Sequence, residues 1–382
     1  MSFLQSIDNG RLGLNQGLPN GITGLDKYIY GTQKGRIYLF GGESGTGKTT
    51  LVDYMGLFSP YRFMKQQHKL GITCEIHWEY YSFEQGRKTK ETSWASKMIF
   101  DRTGKRLPVS YIMSKGKNRV SDEDYQLCIA VDGELKEMFE HINMVDVPIG
   151  PNKFKDDLFR YGTKHGTWQL KDVLDKNGKP KLHSKTQKVL KEVIGWMPNN
   201  PHADHIFIMD HIAYAALEMP TLKQNIDMIS RTAVQFRELC GWTFFFVQQF
   251  NTELASVERQ KFKKSALAPQ RVDFGDSRYT YQDADVVFGL LNPYSYDIPE
   301  FHGYKTEQML GYAIWIFLMK NRHDGPPGRV LPLFMDPVGG TFEELPEAAS
   351  EGMLAMGLDD PIVPFYQRAQ EFNQSIQLYD SI

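Results

Sequence analysis

The stretch Gly42-Glu43-Ser44-Gly45-Thr46-Gly47-Lys48-Thr49-Thr50 fits G-x-x-x-x-G-K-[ST] at every fixed position. Its glycines let the backbone curl so that successive N–H groups point inward at a phosphate. Lys48 can reach β- and γ-phosphates, and the Thr49 hydroxyl can ligate Mg²⁺. The chemistry implied is binding of ATP with Mg²⁺. Hydrolysis needs more: a group to hold the metal, a group to take a proton from water, and charge compensation at the γ-phosphate. Asp210, closing the apolar run His205–Asp210, is the candidate partner for Mg²⁺. Glu84, just past the strand-like Gly71–Ser82, is the candidate general base, because Glu75 and Glu79 fall mid-strand. Gln249, closing Trp242–Gln249, can contact the γ-phosphate through its amide. The bland alternatives are an acid capping a turn, a solvated carboxylate and a loop glutamine.

These residues need a scaffold. Arg36–Phe40 is a short apolar run of strand formers, and Leu51–Met55 begins a helix. Strand, glycine loop and helix are the context that a phosphate site requires. Thr23 is a helix cap in the turn-rich entry Gly17–Asp26, Thr92–Phe100 reads as helix, and Ser121–Asp124 opens another with acids in its first turn. Ile142–Val147 is a short strand and Lys153–Tyr161 a helix. Ile226, Ile229, Ala233, Phe236 and Leu239 recur at helical spacing, a stripe of core packing. Asp285–Leu291, Tyr312–Met319 and Leu331–Met335 are further strands. Strands apolar throughout, alternating with helices, predict an α/β fold: a mainly parallel sheet with helices on both faces. Within it, Thr167–Leu174 and Lys179–Leu182 flank Asp175-Lys176-Asn177-Gly178, a hairpin signal, followed by the lysine-rich Lys185–Lys191. Residues 166–200 therefore read as a surface insertion. Residues 1–16 read as a short arm, 17–345 as one domain, and 346–382 as a mixed tail.

A hydrophobic share of 41% over 382 residues supports a real core and excludes a disordered chain. A net charge of −2 excludes a global basic field, so nucleic-acid binding must come from local patches. Cys74, Cys128 and Cys240 form no CxxC, and each lies in an apolar segment, as buried thiols of a reducing compartment do. The amino terminus lacks a signal-peptide pattern, and the apolar run Tyr312–Met319 is far shorter than the ~20 residues of a membrane helix. A soluble, cytoplasmic protein with no membrane contact is expected.

GLPNGITGLDK, GGESGTGKTT, SFEQ, VSDEDY, IFIMDH, VQQFN, YQDADVV and MKNRHDGPPGRV follow one another in an order that resembles the catalytic domain of DnaB-family replicative helicases, which are RecA-like P-loop ATPases. The resemblance runs from about Gly17 to Pro346, and Gln282–Val287 followed by Lys320–Gly328 is its most specific part. It implies that Glu84 is the base, Asp210 the metal-binding acid and Gln249 a switch between nucleotide and DNA loops. It also implies that Lys320 and Arg322 reach the ATP site of a neighbouring subunit in a homo-oligomer, a hexameric ring around single-stranded DNA, with other replication proteins as partners. Two departures stand out. About sixteen residues stand where the family usually carries a large N-terminal helical domain, which supports its ring and engages primase. The family's Ser-Gln-Leu-Asn-Arg pattern appears as Gln248–Thr252, and an arginine of its later DNA loop falls at Gly275.

Arg259, Lys261, Lys263, Lys264 and Arg271, with Phe262 interleaved and Arg278 further on, form a basic loop after Gln249. Such a loop suits sequence-independent contact with a phosphate backbone, although lysine runs are commonly just solvated. The resulting expectation is an ATP-dependent DNA helicase that moves on single-stranded DNA and unwinds duplex in replication. The alternative is a RecA-like recombinase or loader ATPase that binds single strands without unwinding.

Overall fold

Strands this uniformly apolar cannot face water on either side, and the central ones lie buried between helical layers. The computed structural model describes residues 3–12, 15–115, 119–184, 186–251, 267–275, 278–349 and 359–381. The chain opens with α1 (Phe3–Arg11), α2 (Thr23–Ile29) and β1 (Ile37–Gly42). A continuous helical stretch follows, made of α3 (Lys48–Asp53), a π-turn (Tyr54–Phe58) and α4 (Ser59–Lys69). Next come β2 (Ile76–Ser82), α5 (Arg87–Thr103), α6 (Val109–Ile112), α7 (Asp122–Glu140), β3 (Ile142–Val145) and α8 (Pro151–His165). The hairpin strands β4 (Gly166–Asp172) and β5 (Lys191–Pro198) precede β6 (Asp204–Asp210), α9 (Leu222–Cys240) and β7 (Thr243–Gln249). Helix Arg278–Asp283 leads to β8 (Val286–Leu291), the short pair β9 (Glu300–Phe301) and β10 (Tyr304–Lys305), then β11 (Ala313–Asn321), β12 (Arg329–Asp336) and β13 (Thr341–Glu344). Helix Val363–Ser381 ends the described chain.

The main sheet has nine strands in the order β13-β12-β11-β8-β1-β7-β6-β2-β3. From β8 to β3 every neighbour pair is parallel, while β11, β12 and β13 join in antiparallel fashion. Alternate residues of each strand feed two cores. Tyr38, Phe40, Trp78 and Tyr80 pack with Leu51, Met55, Trp94 and Met98 on one face. Leu39, Phe207, Met209 and Phe244 pack with Phe154, Leu158, Ile229 and Phe236 on the other. Among the described residues, no helix is long and apolar enough to cross a membrane.

Several local expectations are corrected. Thr23 begins α2 without capping it, and Asn20 Oδ1 instead accepts the Ile22 N–H at 2.8 Å. Ser121 does cap α7, accepting the Asp124 N–H. The arm contains a helix, α1, and the mixed tail contains the helix Val363–Ser381, whose Tyr366 and Ala369 enter the core with Ile362. The predicted hairpin forms at its tip, where Leu174 bridges Pro180 and the Lys181 N–H donates to the Val173 carbonyl, but the rest of the first arm, β4, pairs with β5, so that Trp168 faces Trp196. Beyond β4 and β5 the chain makes two small hairpins, one around the Asp175–Gly178 turn with the Leu174–Pro180 bridge and one closed by the Leu182–Val189 bridge. The base of this ribbon is no surface insertion. Trp196 is 8% exposed and packs on Trp242, and its Nε1 donates to the Gly162 carbonyl at 2.8 Å. Gly162 is required there, because a Cβ would collide with the Trp168 ring. The three cysteines are unpaired, and half-buried instead of buried.

Candidate nucleotide site

β1 ends at Gly42, flanked by Gln249 on β7 and Leu290 on β8, so the glycine loop leaves the sheet at the carboxyl ends of the parallel strands. Ligands of open α/β sheets bind at that edge. Gly45 and Gly47 have φ of +78° and +80°, and a Cβ at Gly47 would strike Met335 Sδ. The loop folds on itself: Thr46 Oγ1 and Lys48 Nζ donate to the Glu43 carbonyl at 2.8 and 2.6 Å. Lys48 is 8% exposed, and burial pushes its pKa down to about 8 against the opposing pull of Glu84, Asp210 and Glu43. Among the described residues its hydrogen bond is to that carbonyl, and a buried cation so placed suits an incoming phosphate.

Thr49 Oγ1 donates to Asp210 Oδ1 at 2.9 Å, so the P-loop hydroxyl and the β6 acid meet as the sequence expects of Mg²⁺ ligands. Hydroxyl and carboxylate oxygens form a hard donor set, and this pair fits Mg²⁺. Glu84 is exposed in the bend after β2, close enough to act on the Lys48 charge. Gln249 is exposed beside Gly42.

The sequence reading missed a buried charge cluster behind this site. Lys90 on α5 is 1% exposed, and its Nζ donates to Asp210 Oδ2 and Asp53 Oδ2, each at 3.2 Å, and to Tyr80 Oη at 2.7 Å. Tyr80 donates onward to Asp53 Oδ1, and Trp94 Nε1 to Asp53 Oδ2. Burial alone would lower the Lys90 pKa, but Asp53 and Asp210 outweigh it and hold it above the ordinary lysine value. A cavity of about 100 Å³ opens beside Thr49 and Thr50, lined also by Asp53, Gln85, Lys90 and Lys97. The available signal was slight: Asp53 stands four residues after Thr49, on the same helical face.

Gln248 was also passed over. It is buried, donates from Nε2 to the Phe274 carbonyl at 2.6 Å and accepts from Thr280 Oγ1 at 2.8 Å. It therefore ties the nucleotide edge to the segment that follows the basic loop. Arg259, Lys261, Lys263 and Lys264 lie outside the described residues. Arg271 is exposed with its guanidinium 5.5 Å from the Tyr281 ring centre, and Arg278 begins the helix before β8.

Lys320 and Arg322 are not part of this chain's own nucleotide site. β11 runs antiparallel to β8, so its end lies beside Val286, at the amino ends of the parallel strands. A six-residue strand, Val286–Leu291, separates the two ends by about 20 Å. The register slips between Leu318 and Lys320, yet both side chains turn to one segment. Lys320 Nζ donates to the carbonyls of Tyr281, Gln282 and Ala284. Arg322 pairs with Asp285 at 3.0 Å and donates to the Gln282 carbonyl.

No protein-family model and no curated protein sequence matches the chain. Solved structures share its fold, two of them as follows. One is solved as an ATPase domain, with a TM-score of 0.61 at 17% identity over 90% of this chain and 97% of that one. The other is a DnaB-like replicative helicase described with its primase interactions, with a TM-score of 0.61 at 17% identity over 89% of this chain and 67% of that one. The chain has an α/β RecA-like fold, which it shares with both structures.

Proposed function

We propose that this protein is a DnaB-like ATP hydrolase that uses ATP and Mg²⁺ to move along single-stranded DNA and unwind duplex, in DNA replication in the cytoplasm. The observation that carries the reading is the meeting of Thr49 with Asp210 beneath Lys48, at 2.9 Å, with Glu84 and Gln249 on the same edge. The fold shared with a solved ATPase domain and with a DnaB-like replicative helicase supports it.

Each residue then has a task. Lys48 exchanges the Glu43 carbonyl for the β- and γ-phosphates, while the Gly42–Thr50 backbone cradles them. Thr49 and Asp210 would hold Mg²⁺, which when bound polarises the terminal phosphate. Glu84 accepts the proton of the attacking water. Gln249 senses the γ-phosphate, and its neighbour Gln248 transmits the change through Phe274 and Thr280 towards the basic loop of Arg259, Lys261, Lys263, Lys264, Arg271 and Arg278. Arg322 sits too far from its own P-loop to act there. It would leave Asp285 to compensate charge in a neighbour's site, in a homo-oligomeric, hexameric ring, with Lys320 beside it.

The test is strand separation on forked DNA with 5′ or 3′ tails, comparing wild type with Lys48→Ala. ATP-dependent unwinding that vanishes in the variant is the expected result. DNA-stimulated hydrolysis without unwinding would replace the helicase reading with a recombinase or loader ATPase.

A further inference from the structure

The β4–β5 ribbon has two unlike halves. Its base is bound into the protein by Trp168 and Trp196, against Phe159, Phe236 and Trp242. Just beyond, the charges balance across the strands: Lys171 faces Glu192, and Asp172 faces Lys191. From there to the tip the balance ends. Residues 176–190 contain five lysines and no aspartate or glutamate, in a chain whose net charge is −2. Asp175, the nearest acid, is occupied by the turn, where its Oδ1 accepts the N–H groups of Asn177 and Lys179.

Some surface lysines elsewhere are paired, such as Lys65 with Glu137 and Lys136 with Asp132, while Lys69, Lys88, Lys164 and Lys223 are exposed without an ion pair among the described residues, so what sets the ribbon apart is the density of lysines without acids. Lys176, Lys179, Lys181 and Lys188 are all exposed and, among the described residues, make no ion pair. The distal ribbon is held by its own backbone bonds, such as Val173 N–H to the Leu190 carbonyl and His183 N–H to the Lys188 carbonyl, both 2.8 Å. A lone two-stranded ribbon is marginal in water, and a cluster of like charges without acids does not help it. Charge placed for solubility alone is ordinarily mixed in sign. An unbalanced row on a projecting ribbon is instead suited to a polyanion, whose charges relieve the repulsion and whose counterions are released on contact.

We propose that the distal ribbon is a phosphate-backbone contact for nucleic acid, separate from the basic loop after Gln249. It lies at the amino-end edge of the sheet, where β6 begins, away from the P-loop. The ligand rests on the DNA reading above, but the contact does not require unwinding. Lysines on a flexible stem give point charges without base-edge geometry, so the contact is independent of sequence. Single-stranded and duplex DNA offer the same phosphates.

The experiment uses the full chain without nucleotide and measures binding of labelled single-stranded DNA, duplex DNA and poly-glutamate across a salt series. Wild type is compared with the quadruple variant Lys176→Glu, Lys179→Glu, Lys181→Glu and Lys188→Glu. The variant is expected to bind at least one DNA form roughly tenfold more weakly or worse, with basal ATPase unchanged. Its log–log salt slope should shrink by about 0.9 per phosphate lost on the duplex, or about 0.7 on the single strand, and the separate titrations of the two forms tell the sources apart. Unchanged affinity and slope for both forms overturn the proposal. So does tighter binding of poly-glutamate than of DNA, which would assign the ribbon, with its exposed Leu174 and Leu182, to an acidic protein. If the glutamates lower the melting temperature, glutamine at the same four positions removes the charge without adding repulsion and decides the matter. A wild type that binds DNA through the ribbon yet fails to unwind forks sinks the motor reading alone. A wild type that unwinds with an inert ribbon sinks the ribbon alone.

Discussion

At the carboxyl ends of β2 and β6 the protein buries full charges, whereas at the amino ends of the same strands it buries rings. Lys90, Asp53 and Asp210 share one interior network beneath the P-loop. At the other end His77 lies with His165 and His205 at centroid distances of 4.4 and 5.5 Å, walled by Tyr161, Trp196 and Trp242. Burial pushes the His205 pKa down to about 3 and that of His165 to about 4, so both are held neutral. The charged end is costly to build, because each desolvated ion needs close partners. That cost is justified where a phosphate and a metal must be met. The ring-filled end closes the sheet and seats the ribbon's base through packing and neutral hydrogen bonds, such as those of Trp196 with the Gly162 carbonyl and Tyr161 with His205.

The contrast can be broken from either end. The largest effect is expected at Glu84: Glu84→Gln should keep nucleotide binding but lose turnover by about 10²–10⁴-fold, since positioning survives and proton acceptance does not. Lys48→Ala should lose both, as measured by nucleotide binding and phosphate release. Full turnover in Glu84→Gln would remove it as the base. Next comes Lys90→Met, which strands two buried carboxylates and should cost about 3–5 kcal/mol in denaturant unfolding. Adding Asp53→Asn should recover part of that loss, and no recovery would mean the two do not act as a pair. At the ring end, Trp196→Ala should cost about 3–5 kcal/mol through the cavity it leaves. Deletion of residues 174–189, bridged by Asn-Gly across the bonded Val173 and Leu190, should shift stability by less than about 0.5 kcal/mol. A large loss on that deletion would place the tip in the core.

The two ends also differ in acid. The His165 and His205 pKa values lie below their ordinary 6.5 in the folded protein, so below about pH 6.5 the unfolded chain binds more protons and stability falls as pH falls towards 4. For His205 the loss is on the order of 2 kcal/mol by pH 5. Glu79 works in the opposite sense: burial pushes its pKa up to about 7, so its contribution to stability grows as pH falls from 7 towards its ordinary 4.5. His205→Gln should flatten the acid limb of a melting-temperature profile, and Glu79→Gln should steepen it. Identical profiles in all three proteins would show that neither group governs acid stability.

The glycine loop, Asp210, Glu84 and Gln249 could be placed from the chain alone, because each marks the end of an apolar run and a parallel sheet brings such ends to one edge. The parallel sheet itself was legible for the same reason: strands buried on both faces leave no polar alternation to hide them. The Lys90–Asp53 pair was not, because burial of a charge is decided by elements far apart in sequence that no local pattern links. The ribbon misled in a different way. Asp175–Gly178 signalled a turn correctly, but the hairpin it makes ends at Val173 and Lys181, where β4 changes partner to β5, and a turn motif carries no information on how far its pairing runs. Turn chemistry and strand ends are local, and so they were determined by the sequence itself. Which tryptophans met across β4 and β5, which lysine sank beneath the P-loop, and that Arg322 came to rest about 20 Å from its own phosphate site were decided only when the strands took their order in the sheet.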